Sequence, residues 1–199
     1  TSKVTDMSYM FSESAATEIK GLEKFNTSNV TSMSGMFWRT VITSLDLSSF
    51  DTSKVTTMYR MFLNSAVVSL NLSSFDTSNV TSMNSMFSES QAAEIIFGEK
   101  FNTNKVTNMG NMFYQSAATT LDLSSFDTSN VTDMGWMFWG SAAASLDLSS
   151  FDTSNVTDMN WMFYLSKATT GYARTQEDAD RFNASTTYRP SGLTFVVKS

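Results

Sequence analysis

Two hydrophobic patterns alternate along the chain. The first, V-T-x-M-x-x-M-F, begins at Val4, Val30, Val55, Val80, Val106, Val131 and Val156, a spacing of 26, 25, 25, 26, 25 and 25 residues, and these seven blocks hold all 14 methionines. At about 100° per residue its Val, both Met and Phe fall within an arc of roughly 120°, which predicts a short helical turn with one apolar stripe. The second pattern, L-D-L-S-S-F-D-T-S-N, runs from Leu45 (with Lys54 in its last place), Leu121 and Leu146, with a near copy from Leu70. Its alternation predicts a short strand with Leu146 and Leu148 inward and Ser145, Asp147 and Ser149 outward. Two degenerate versions, ATEIKGLEKFN and AAEIIFGEKFN, carry one extra residue, expected as a local bulge.

Between the patterns, Asp-Thr-Ser-Asn suits Asx-type turns, and the Thr after each Val, such as Thr132, is a candidate N-cap for the helical turn. Strand, turn, helix and return make one coil. A single coil cannot bury its own apolar set, so coils of this kind must stack on one another. The methionines are then core filler whose flexible side chains suit an approximate repeat, rather than metal or redox groups. The pattern breaks near residue 170, giving an expected division into seven repeats over 1–169 and a capping segment over 170–199. In that segment Thr170-Gly-Tyr-Ala stands where a strand would be. Thr175-Gln-Glu-Asp offers an approximate capping box for a helix to about Phe182, and Leu193 to Val197, after the single proline Pro190, reads as a strand.

Composition narrows the chemistry. The chain of 199 residues is 41% hydrophobic and has neither cysteine nor histidine, which removes disulfides, thiolate nucleophiles, Ser-His-Asp triads and imidazole metal ligands. With a net charge of −6 and 13 scattered Lys and Arg, no clustered basic face for nucleic acid or an anionic membrane is expected. No apolar run approaches a membrane span, and no leader pattern is present; the chain opens in mid-pattern, as a fragment or mature portion would.

The residues LDLSSFDTSNVTDMxxMF and the period of about 25 residues resemble the BspA-like leucine-rich-repeat surface proteins of bacteria. The resemblance implies an α/β repeat solenoid, with short parallel strands on one face, short helical turns on the other and a C-terminal cap. It also implies display on the bacterial surface and adhesion to host or neighbouring-cell molecules, as a monomeric fragment of a larger surface protein. Where that family commonly has Cys three residues after the Phe, this chain has Ser14, Thr40, Ser65, Ser90, Ser116, Ser141 and Ser166, expected to act as small turn residues.

Two surfaces are candidate sites. Relative to Val131, Trp136 and Trp139 lie at about 140° and 80° on the helical wheel, away from a core stripe centred near 300°. The same positions in neighbouring coils add Tyr114, Trp161 and Tyr164, an aromatic patch suited to a protein or glycan contact. The second choice is the strand face, with Asp46, Asn71, Asp122 and Asp147 as an outward column. Stacked acids there repel unless a cation or basic partner meets them. The glycine-centred loop of strong calcium motifs is absent and the degenerate coils break the column, so solvated surface is expected, with no metal and no cofactor. The leading expectation is a non-enzymatic binding module for a protein or glycan. The alternatives are a spacer that projects other domains and an ice-binding array of Ser and Thr. No carboxylate pair stands apart from the repeat as a catalytic pair would.

Overall fold

The computed structural model describes residues 3–184 and 189–198. Successive repeats lie side by side in parallel register, and single bridges link Asp6, Ser32, Thr57, Ser82, Asn108, Asp133 and Asp158 in order. The segment that follows each bridge departs from the helical expectation: it is a run of overlapping turns, not a helix. In the second block, Met36, Trp38 and Thr40 donate their N–H to the carbonyls of Met33, Gly35 and Phe37. The intervening Met33, Gly35, Phe37 and Arg39 donate to Thr57, Tyr59, Met61 and Leu63 of the next repeat, at 2.8–3.2 Å. Half of the N–H groups thus close turns and half tie repeats together, which leaves few backbone groups to be satisfied by water.

The alternation requires left-handed backbone twice per block. Tyr9, Gly35, Arg60, Ser85, Asn111, Trp136 and Trp161 have φ between 56° and 62°, and Glu13, Arg39, Asn64, Glu89, Gln115, Gly140 and Leu165 between 48° and 62°. The threonine expected as N-cap has another task. Thr132 Oγ1 donates to the Thr107 carbonyl of the preceding repeat at 3.2 Å, as Thr31, Thr56, Thr81, Thr107 and Thr157 do to theirs.

The inward set is nevertheless the one the stripe marked. Val131, Met134, Met137 and Phe138 are fully buried, as are their equivalents in the second to fifth blocks. The block phenylalanines from Phe11 to Phe163 stack rung on rung at 5.5–6.1 Å with planes within 13°. The first block, with a neighbour on one side only among the described residues, departs from this: Met10 is 46% exposed.

Strand geometry is met at β1 (Ser69–Leu72), β2 (Glu94–Phe97) and β3 (Ser145–Leu148), with β1 and β2 paired in parallel, but the copies of the pattern from Leu45 and Leu121 form no strand. Leu70, Leu72, Leu146 and Leu148 point inward as expected. The second degenerate coil is therefore a full strand, and its extra residue falls just before a turn in which Phe101 donates to Gly98, as Phe75 does to Leu72; the first forms no strand and carries a 3-10 turn at Leu22–Lys24. Gly98 passes so close to the neighbouring rung that a Cβ there would lie 2.2 Å from the Ser73 carbonyl oxygen.

The turn chemistry of Asp-Thr-Ser-Asn is as expected. Ser53, Ser78, Ser129 and Ser154 donate their N–H to the carboxylates of Asp51, Asp76, Asp127 and Asp152. The threonines between them, buried, reach across to the next repeat: Thr52 Oγ1 donates to the Asp76 carbonyl and accepts from Asp76 N–H. The small residues after each Phe are also turn residues, since Thr40, Ser65, Ser90, Ser116, Ser141 and Ser166 each accept the N–H two residues on at 3.3 Å.

At the C-terminal end, Thr170-Gly-Tyr-Ala does not interrupt the strands. It forms β4 (Thr170–Ala173), parallel to β3, and β5 (Phe195–Val197) pairs in parallel with β4. Between them α1 (Gln176–Ala184) starts where expected, with Thr175 Oγ1 accepting Asp178 N–H. Phe182 and Phe195 cover Phe163 at 5.8 and 4.8 Å. Residues 185–188 and 199 of the expected cap, and residues 1–2 of the expected repeat region, lie outside the described residues.

Candidate functional site

The turn face carries the five aromatic residues together. Tyr114 stacks on Trp139 at 4.6 Å with planes 10° apart, and Trp136 on Trp161 at 5.5 Å and 21°. Cross contacts close the group: Tyr114 with Trp136 and Trp136 with Trp139 at 6.2 Å, Trp139 with Tyr164 at 6.0 Å, and Trp161 with Tyr164 edge-on at 5.1 Å. One continuous cluster therefore spans three repeats.

Its exposure is graded. Trp136 is 38% exposed, whereas Tyr114, Trp139, Trp161 and Tyr164 are half-buried. Ring faces are largely spent on neighbouring rings, so the outward surface is made of ring edges, where the aromatic quadrupole is positive. Two of the rings also sit on left-handed backbone, Trp136 at φ 62° and Trp161 at φ 59°, the position that Gly35 fills in the second block. Placing a bulky L-residue there costs about 1–2 kcal/mol.

The strand-face residues have a local role. The side-chain oxygens of Asp46, Asn71, Asp122 and Asp147 accept the N–H of Ser48, Ser73, Ser124 and Ser149 at 3.0–3.1 Å, locking the turn that follows in each coil, though only Asn71 and Asp147 lie on strands. Hydrogen bonds from Ser48 and Ser124 hold the Asp46 and Asp122 carboxyls below their ordinary range. For Asp147, burial acts upward, but Lys198 and Ser149 outweigh it and hold the group low. The column is interrupted at Ile96, which pairs with Asn71, and ends on Tyr172, which pairs with Asp147. No group of three or more acidic side chains among the described residues is placed to hold a metal ion. No described helix is long and apolar enough to cross a membrane.

Sequence reasoning missed the other end of the turn face. There Tyr9 meets Trp38 edge-on at 6.0 Å, the Arg39 guanidinium lies 5.1 Å from the Trp38 ring centre, and that of Arg60 lies 4.7 Å from the Tyr59 ring centre. The available signal was Arg39 and Arg60 at left-handed turn positions of adjacent repeats, beside aromatic residues.

A family model described as "Mycoplasma protein of unknown function, DUF285" matches residues 1–99 and again residues 91–187. The chain belongs to this family. The double match places the DUF285 pattern once in each half of the chain. No curated protein and no solved structure matches the chain.

Proposed function

We propose that this DUF285 chain is a non-enzymatic binding module of a bacterial cell surface, with its repeats forming a leucine-rich-repeat-like solenoid closed by the segment 170–199. It engages a protein or glycan of a host or neighbouring cell through the turn face. The observation that carries the reading is the cluster of Tyr114, Trp136, Trp139, Trp161 and Tyr164, in which two tryptophans occupy left-handed positions. Large, rigid amphipathic side chains on a surface give contact area at low entropic cost.

A second reading, a spacer that projects other domains, draws support from the same rings: each is stacked on or against its neighbours, so stabilising the rungs would be role enough. The test is binding to an array of glycans and extracellular-matrix proteins. Replacing Trp136, Trp139 and Trp161 with Ser should abolish binding, while Asp46→Asn, Asp122→Asn and Asp147→Asn, which keep the turn acceptor, should weaken it little. Binding through the aromatics should also tolerate salt. Full binding by the triple Ser variant would move the site elsewhere.

A further inference from the structure

We infer that a second site, at the N-terminal end of the turn face, binds a sugar carrying a single carboxylate. A concavity of about 230 Å³ is lined there by Trp38, Arg39, Arg60, Leu63, Asn64 and Glu89. Arg39 and Arg60 are the two arginines of the first 170 residues, and they meet at this one place in a chain of net charge −6. The others lie in the C-terminal segment, where Arg174 pairs with Asp152 and Asp178, and Arg181 donates to the carbonyls of Thr153 and Val156.

The two guanidinium groups are prepared for a carboxylate. Each lies over an aromatic ring, which orients the plane and leaves the in-plane N–H edges to bind. Arg39 Nη1 meets Glu13 Oε1 at 3.2 Å, but both side chains are more than half exposed, so this pair exchanges with water at little cost. Arg60 Nε is buried and has no hydrogen-bond partner among the described residues. With Nε enclosed, the groups that can meet a carboxylate oxygen are the Arg60 Nη nitrogens, which have no hydrogen-bond or ion-pair partner among the described residues.

The rest of the lining selects what carries the charge. Trp38 and Leu63 offer apolar surface for the C–H face of a pyranose. Asn64 and Glu89, joined by a 3.2 Å hydrogen bond, offer a donor and acceptors for hydroxyl groups. Two positive groups face Glu89 in the lining and Glu13 beside it, so the local charge is near balance. A multiply charged phosphate or sulfate would be repelled by the two glutamates, and a neutral sugar would leave Arg60 unpaired. This site shares no residue with the tryptophan cluster.

The test is an NMR titration of the chain with the methyl glycoside of glucuronic acid, set against methyl glucoside, acetate and sulfate. Saturable shifts at the Trp38 indole and the Leu63 methyls are expected in the millimolar range typical of one small ligand, weakening as salt is raised. Arg39→Asn and Arg60→Asn, which suit left-handed backbone, should fold normally and bind about tenfold more weakly or worse. The triple Trp→Ser variant of the C-terminal cluster should bind the glucuronide as the parent does, whatever becomes of that cluster's own ligand. Absence of glucuronide shifts at Trp38 would overturn the inference. So would unchanged affinity in both Asn variants, or acetate, sulfate or methyl glucoside binding as tightly.

Discussion

Asp178 Oδ1 accepts both the hydroxyl of Thr153, at 2.7 Å, and its backbone N–H, at 3.0 Å. In the repeats before it, the equivalent threonine hydroxyl donates to the backbone carbonyl of the next coil: Thr128 to Asp152, Thr103 to Asp127. After Thr153 there is no such coil. The first turn of α1 presents a carboxylate where that carbonyl would be, so a side chain ends a ladder that backbone had carried.

Burial pushes the Asp178 carboxyl upward, but hydrogen bonds from Thr175 and Thr153, together with Arg174, outweigh it and lower the pKa from 3.8 to about 2. A depressed folded-state pKa contributes stability that is full above about 3.8 and is lost as pH falls through about 2, worth about 2 kcal/mol. Asp178→Asn should therefore lower the melting temperature at pH 6 and flatten its fall between pH 4 and pH 2. Other carboxyls held low, among them Asp51 and Asp152, keep the parent acid-labile, so the difference between the two melting profiles is the measurement. Parallel profiles would remove Asp178 from this role.

Met134 is fully buried between equivalent methionines, so Met134→Asp should unfold at least the adjoining coils, costing about 3–5 kcal/mol in a chemical melt. Trp139→Ser would leave stability unchanged if the wheel angle alone decided. The ring instead stacks on Tyr114 at 4.6 Å and is half-buried, so a loss of about 1–2 kcal/mol is expected. A Trp139→Ser melt matching the parent would show that the stack contributes nothing to folding.

The repeat, the inward residues and the strands at Leu70 and Leu146 were legible because a period of about 25 residues forces each position to meet its own copy in the next coil, but the same letters from Leu45 and Leu121 form no strand. The helical turn was misread for a definable reason. Positions Val131, Met134, Met137 and Phe138 form one stripe on a helix, and a run of turns with left-handed residues at Trp136 and Gly140 turns the same four inward. Gly35 and Asn111 marked the left-handed position, but Tyr9, Arg60 and Trp161 at equivalent places hid it. The acids at Asp46 and Asp122 read as a charged face, although Asp-x-Ser also spells the Asx turn they form. The Arg39 and Arg60 pocket occurs once and forms no column along the repeats, so the period carries no mark of it.

Left-handed backbone without glycine leaves room for stabilisation. Leu165, at φ 57° and 58% exposed, occupies the position held by Gly140 at φ 62° one repeat earlier. Leu165→Gly should raise stability by about 0.5–1 kcal/mol, relief of strain exceeding the lost contact and the greater entropy of an unfolded glycine. Gly140→Leu should do the reverse, and more strongly, because a Cβ there already meets Gln115 Cγ at 3.1 Å. Equilibrium denaturation of both variants checks the sign; destabilisation by Leu165→Gly would show that the side chain outweighs the backbone.

Deleting residues 171–199 should expose one whole side of the last repeat. The deletion removes Phe182 and Phe195 from Phe163, the partner strand from Leu146 and Leu148, and the Arg181 donors from the carbonyls of Thr153 and Val156. It also removes the Asp178 carboxylate, so that the Thr153 hydroxyl and N–H turn to water. Apolar surface and unpaired strand edge then coincide, the combination that drives edge-to-edge association. Size-exclusion chromatography should find the truncated chain aggregated. Hydrogen exchange on any soluble fraction should show protection lost first at Val156, Met162 and Phe163 and retained near Met58 and Met83. A soluble monomer with the parent's protection pattern would make the segment an appendage rather than a closure.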